Sequence, residues 1–193
     1  GWMDNPNFLF DERVLKNAVK IIKETNEEVA ELLGIRPAAR LTTVKPSGNA
    51  STLLKTSSGI HGSHSKRYFR RMEVNPLSEV AELFKRTNPL MCTRSNKSSN
   101  GKDFTISFPI EMEGDRLYNA DLYGVKLLER VKFVQKHWVA EGTVKERCVQ
   151  PWLRHNVSNT VTVDCWDSVG RYIYDNREYL GGLSFMGMFG DKD

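Results

Sequence analysis

Cysteine is scarce. Cys92, Cys148 and Cys165 are three in 193 residues, an odd number at wide spacing with no Cys-x-x-Cys. That excludes a disulfide-stapled scaffold and points to reduced thiols and a cytoplasmic setting. No apolar run approaches the roughly 20 residues that a membrane-spanning helix needs. The opening Gly1-Trp2-Met3-Asp4-Asn5-Pro6 has neither the basic start nor the apolar stretch of a secretory leader. The glycosylation triplets at Asn49, Asn96 and Asn156 therefore read as chance. No arginine-rich run of the kind that wraps a duplex is present. The net charge of +4 suits a small anionic ligand without demanding nucleic acid. No Gly-Lys-Ser/Thr follows a glycine at the spacing of a Walker loop, so that phosphate cradle is excluded.

What is present centres on residues 42–54, TTVKPSGNASTLL. Thr42, Thr43 and Val44 favour an extended chain. Pro46 disfavours helix at Lys45 and ends the strand there. Gly48 lets the backbone turn and approach a ligand, and Ser47, Asn49 and Ser51 are all good helix N-caps. A strand that delivers a small polar loop to a helix N-terminus gathers backbone N–H groups that attract anions, phosphate above all. On the tetrapeptide alone, an ordinary turn is the favoured reading. Lys45, Lys55, Lys66, Arg67, Arg70 and Arg71 favour the anion reading.

Around this stretch the chain alternates helix and strand. Asp11 caps a helix running to about Leu33, with Val14, Ala18, Ile21, Thr25, Val29 and Leu32 on one face and Gly34 as its stop. A strand at Leu41–Val44 leads into the loop, a short helix covers about Ser51–Lys55, and a polar loop follows to Ser65. Lys66–Val74 alternates as a strand, placing Arg67, Phe69 and Arg71 opposite Tyr68, Arg70 and Met72. Asn75-Pro76 opens a helix with Leu77, Val80, Ala81 and Phe84 as its buried stripe. Residues 87–102 read as an irregular loop. Phe104, Ile106 and Phe108 mark a strand ending at Pro109. A long helix follows on the stripe Ala120, Tyr123, Leu127, Val131, Val134 and Trp138, stopped by Gly142. Val157–Val163 is a strand, Asp164 caps a helix lined by Trp166, Val169 and Ile173, and Gly181–Met186 is a final strand. This order predicts an α/β fold with a mainly parallel sheet.

Chemistry-bearing residues outside the loop are few. His61 and His64 stand three apart but lack the further ligands that a closed metal site needs. Hydrogen bonding within the loop, or contact with a nucleotide, is the reading for them. Nothing flanking Cys92 marks it as a nucleophile.

Taken together, the run Thr42–Gly48, then Gly59-Ile60-His61, then His64–Arg71, closely resembles the class II, adenosylcobalamin-dependent ribonucleotide reductases. The string 156–163, NVSNTVTV, resembles the same family. The resemblance implies that residues 1–193 are a single partial domain, the late part of a ten-stranded α/β barrel. The loop at 45–51 would hold the substrate's phosphates through Pro46, Ser47, Gly48, Asn49, Ala50 and Ser51. The family usually has Thr at the place of Asn49, so a diphosphate and a triphosphate both stay open. The implied reaction is thiyl-radical reduction of ribonucleotides to 2′-deoxyribonucleotides for DNA replication, with adenosylcobalamin as cofactor and a thioredoxin-type reductant. The thiyl cysteine would lie in an upstream N-terminal part, and the three cysteines here match no catalytic position. No catalytic residue is therefore assigned to this chain, which alone should be inactive. No membrane or nucleic-acid partner is implied, and binding of nucleic acid by the Lys66–Arg71 cluster ranks last. The alternative is a non-catalytic nucleotide- or phosphate-binding α/β domain.

Overall fold

The structure is a computed structural model that describes residues 1–188 apart from residue 100, and Asn49 without its side chain. Two compact units emerge, one from Gly1–His64 with Gly114–Asp193, the other from Ser65–Glu113. No helix among the described residues is long and apolar enough to cross a membrane.

The first unit begins with the short helix α1 (Pro6–Leu9) and the long helix α2 (Glu12–Leu33). Asp11 caps α2 by accepting the Arg13 and Val14 N–H groups, and Gly34 ends it with φ of 64°, as the sequence predicts. The buried positions are Leu15, Val19 and Ala30, one step round from the expected stripe. Ile21, Val29 and Leu32 are exposed instead. The apolar arc of α2 is wider than one packing face, and its other flank carries the covered residues.

After α2 the chain passes through residues 40–44, where only isolated bridges form. Arg40 pairs antiparallel with Thr143, and Val44 pairs parallel with Val157. The helix α3 (Asn49–Leu53) follows. Later come α5 (Gly124–Val134), β4 (Thr160–Val163), α6 (Trp166–Asp175) and β5 (Ser184–Gly187). β4 and β5 pair in parallel, Thr160 opposite Ser184. The apolar side of this layer packs on α5: Leu128, Val134, Val157 and Val161 are fully buried, with Val44 and Ile60 in the same cluster. Each such side chain contributes on the order of 1.5–3 kcal/mol. Cys165, not Asp164, is the cap residue of α6.

Beyond α5 the helix widens into a π turn at Gln135–Ala140. The Thr42 hydroxyl donates to the Trp138 carbonyl at this point, and an inserted side-chain group of this kind opens a helical ladder. Trp138 in turn donates its indole N–H to the Thr43 carbonyl, 3.3 Å away. Gln135 is buried and bridges two backbone groups, donating to the His155 carbonyl and accepting the Val157 N–H. These bonds fix the extended residues 42–44 against the helix and against the run into β4.

The second unit is a three-stranded antiparallel sheet of β1 (Arg67–Val74), β3 (Phe104–Glu111) and β2 (Cys92–Arg94), in the order β1-β3-β2. The helix α4 (Glu79–Thr87) packs Ala81 and Phe84 over Phe104, Ile106 and Phe108. Several expectations are corrected here. The sheet of this unit is antiparallel where a mainly parallel sheet was expected, and among the described residues the strands form two small sheets. β3 runs through Pro109, which sits opposite Phe69. β2 reaches only as far as Ile106, so the proline lies where one edge of β3 is open and its missing N–H breaks no ladder. α4 starts at Glu79 with Ser78 as its cap, while Asn75 accepts the Leu77 N–H in a local turn. Leu77 and Val80 are consequently exposed.

Candidate functional site

The loop that leaves Val44 is built by its neighbours in the first unit. Ser158 donates its N–H to the Val44 carbonyl at 2.9 Å, which continues the parallel pairing one residue past the bridge. Lys45 then turns its ammonium to the Ser158 hydroxyl at 3.0 Å. Pro46, Ser47 and Gly48 are exposed. Gly48 has φ of 53° and ψ of −127°, and it is the residue that caps α3; no side chain caps this helix. Of the expected capping residues, Ser47 and Ser51 do not take that role. Ser51 is buried and donates its hydroxyl back to the Gly48 carbonyl at 3.0 Å. Ala50 is exposed and donates its N–H to the Ser47 carbonyl. The side chain of Asn49 lies outside the described residues.

Positive φ at Gly48 explains why glycine stands there. An L side chain at this φ and ψ is strained by roughly 1–3 kcal/mol. A Cβ built on Gly48 meets nothing within 4 Å, so the loop tip faces open space. An exposed loop of small residues, an uncapped helix start and a flanking lysine make a place where an anion can be held by backbone N–H groups.

The segment returning from α3 forms the floor of the loop. Gly59 has φ of 58°, and a Cβ there would lie 2.8 Å from the Lys45 carbonyl oxygen. The two backbones therefore touch, and only glycine permits it. Ser58 accepts the Ser47 N–H with its hydroxyl at 3.1 Å. Asp4 takes the Ser57 N–H with both carboxylate oxygens, at 3.1 and 3.0 Å, and pairs with Arg116 at 3.0 Å in a poorly exposed position. Trp2 donates its N–H to the Gly59 carbonyl.

His61 closes this arrangement. Its Nδ1 lies 3.1 Å from the Ser58 carbonyl, and its Nε2 accepts the Thr160 N–H at 2.9 Å. The tautomer protonated at Nδ1 satisfies both contacts. Both ring nitrogens are thus committed within the protein. Among the described residues no group of three or more His, Cys, Asp and Glu is placed to hold a metal ion.

Other candidate residues are distributed differently. Lys66, Arg67, Arg70 and Arg71 belong to the second unit. Arg67 is paired there with Glu111, its cross-strand neighbour, at 2.7 Å. The cysteines are all free thiols, Cys165 exposed and Cys92 and Cys148 half-buried. A cleft of about 600 Å³ lies elsewhere in the first unit, with Lys23, Lys136, Lys145 and Arg154 among its lining. Glu27, Glu141, Glu146 and Glu178 line it too, so equal numbers of opposite charges leave no net pull on an anion.

Sequence reasoning found the loop but missed its supports. Asp4, Ser58 and Arg116 carry no local signal in the sequence, and their partners are distant. The Gly59-Ile60-His61 string and the strand pattern at 156–163 were the hints that further segments belong beside the loop.

No protein-family model matches the chain. A protein of Dictyostelium discoideum named probable adenosylcobalamin-dependent ribonucleoside-triphosphate reductase is 26% identical over 127 residues, 63% of this chain and 16% of that protein. The crystal structure of a B12-dependent (class II) ribonucleotide reductase matches with a TM-score of 0.66 at 18% identity, over 95% of this chain and 24% of that one. The chain is thus similar in sequence to the first and in fold to the second, and it spans about a sixth of the curated relative.

Proposed function

We propose that this chain is the part of an adenosylcobalamin-dependent ribonucleotide reductase that grips the phosphates of the substrate. The carrying observation is the loop at 45–51, where a strand end, a glycine at positive φ and an uncapped helix start face open space beside Lys45. Pro46 and Ser47 set the path of the loop, Gly48 turns it, the Ala50 N–H closes it on the Ser47 carbonyl, and the backbone N–H groups at Gly48, Asn49 and Ser51 meet the phosphate oxygens. The ligand is a ribonucleoside di- or triphosphate.

In the complete enzyme, adenosylcobalamin would supply the radical, held on a cysteine thiyl, and two further cysteines would supply the electrons that replace the ribose 2′-hydroxyl by hydrogen and release it as water, yielding deoxyribonucleotides for DNA replication. This chain's residues do not fit that task. Its three cysteines are free and set apart in sequence, and no step through the cofactor runs through them. The thiyl cysteine belongs to an N-terminal part of the reductase, and a thioredoxin-type reductant restores the thiols.

The test is complementation. The isolated chain turns over no ribonucleotide, and adding the upstream reductase polypeptide with adenosylcobalamin restores turnover. Nucleotide binding without turnover in that mixture favours the alternative, a non-catalytic phosphate-binding domain. Turnover by the chain alone overturns the reading of it as one part of the enzyme.

A further inference from the structure

We infer that His61 is a positioning residue for the anion loop, and that it acts through a bond to Thr160 rather than through any ligand. The inference rests on the phosphate reading of residues 45–51 and adds to it the group that holds the loop in shape.

The argument begins with what the loop cannot do alone. α3 has five residues, far short of the length at which a helix is stable by itself. Its cap is a glycine that supplies no side chain. The shape of residues 45–49 must therefore be imposed from outside. Ser47 donates its N–H to the Ser58 hydroxyl, and Gly59 lies against the Lys45 carbonyl. The position of Ser58 and Gly59 thus fixes the position of the loop.

Ser58 and Gly59 are in turn held by His61. The ring caps the turn at Ser58 through Nδ1, while the His61 N–H also donates to the Ser58 carbonyl at 3.0 Å. Nε2 reaches across 99 residues of sequence to the Thr160 N–H. Thr160 is the first residue of β4, and its N–H is spent on the imidazole. Two residues earlier, Ser158 bonds both the Val44 carbonyl and the Lys45 ammonium. The segment 158–160 therefore braces the loop at its entry through Ser158 and at its floor through His61. Removing the imidazole leaves the Ser158 contacts intact and frees only the floor.

Two conservative variants separate the two ring contacts. His61→Gln can place its amide oxygen near Nε2 and keep the bond from Thr160. His61→Asn can keep a donor for the Ser58 carbonyl but does not reach Thr160. If His61 acts through Thr160, glutamine rescues and asparagine does not. A role confined to the local turn gives the opposite order.

The experiment titrates inorganic tripolyphosphate into the full chain by calorimetry and measures amide hydrogen exchange at Ser47 and Thr160. His61→Ala weakens binding roughly two- to tenfold, the loss expected when one exposed hydrogen bond that holds the site is removed. It speeds exchange at both amides, His61→Gln restores affinity and protection, and His61→Asn restores neither. Leu128→Ala, a core change outside the loop, lowers thermal stability without changing affinity or Ser47 exchange at temperatures where the chain stays folded. Wild-type affinity and wild-type Ser47 protection in His61→Ala overturn the inference, as does rescue by asparagine alone. Absence of tripolyphosphate binding by the wild-type chain sinks the phosphate reading instead, and the exchange rates still decide whether His61 positions the loop.

Discussion

Gly48 is where the anion reading is most exposed to experiment. Its φ of 53° with ψ of −127° lies in a region that L residues avoid, and a Cβ there would touch no protein atom within 4 Å. Replacement by Ala or Val therefore meets backbone strain and no clash within the protein. That strain is roughly 1–3 kcal/mol, and it can be released in two ways. Where the loop keeps its shape, global stability falls by that amount and tripolyphosphate still binds. Where the loop relaxes, stability is nearly kept and the N–H groups leave their positions. The second outcome is expected, because α3 is short and the loop tip is exposed, so local rearrangement is easier than global unfolding. Affinity should then drop by roughly five- to a hundredfold, the equivalent of that strain at 1.4 kcal/mol per tenfold. Gly48→Val should lose more than Gly48→Ala, since the added methyls also fill the space that a phosphate would use. Lys126→Ala, on the exposed side of α5, serves as the control and should change nothing. Calorimetric titration and denaturant melts on the four proteins suffice. Binding by Gly48→Val equal to that of wild type, with equal stability, refutes the claim that the loop backbone holds the ligand.

Two further outcomes follow from groups outside the loop. His137 is buried beside Phe133 and 3.6 Å from Glu12, and burial holds its pKa below the usual histidine range, with Glu12 and Glu141 opposing and Lys136 and Lys16 assisting. The unfolded chain then takes up a proton near pH 6.5 that the folded chain refuses, so stability should fall as pH drops below about 6.5; thermal melts between pH 7.5 and 5.5 should show a smaller decline for His137→Gln. Cys165 is exposed at the start of α6, and the Ser168 backbone N–H, helped by the Ser168 hydroxyl, holds its thiol below the usual range. It should be the first cysteine alkylated by iodoacetamide at neutral pH, and peptide mapping that finds Cys92 or Cys148 labelled first would contradict this.

Local signals were legible where one residue decides a boundary. Asp11 and Gly34 frame α2 because a carboxylate cap and a left-handed stop act within one turn. The buried flank of α2 was not legible. Ile21 and Ile22, Val29 and Ala30, and Leu32 and Leu33 are adjacent apolar pairs, and periodicity cannot say which member a neighbour covers. The stripe of α4 was misplaced for another reason: the helix begins at Glu79, after a turn at Asn75, so Leu77 lies outside it and Leu77 and Val80 proved exposed. β2 was missed because Cys92-Thr93-Arg94 is too short to show alternation, and it is defined by its partners Phe104–Ile106. Strand direction was likewise unreadable. β1 and β3 are separated by a helix, as parallel neighbours would be, yet they pair antiparallel. At the site, glycine and proline marked the turn, while the choice of cap was open among three polar residues. Gly48 took that role.

The shape of the proposed phosphate loop is therefore a property of the bracket around it more than of its own letters. A Pro-Ser-Gly turn leading to a five-residue helix has little intrinsic preference for one shape, since isolated short helices do not persist and glycine loses more backbone entropy on ordering than any other residue. Order comes from contacts made far along the chain: Ser158 at the entry, His61 with Thr160 at the floor, and the Asp4–Arg116 pair behind Ser57. Each of these spends a polar group that water would otherwise satisfy, and each lies outside the turn itself. Binding energy at such a site is governed by how much of the ordering has already been done before the ligand arrives. A chain that carried the same tetrapeptide without these partners would present the same N–H groups in many arrangements, and an anion would have to fix them one by one. That is why a short motif marks the loop poorly: the segment 156–163 supplies Ser158 and Thr160, whose bonds to Val44, Lys45 and His61 hold its shape.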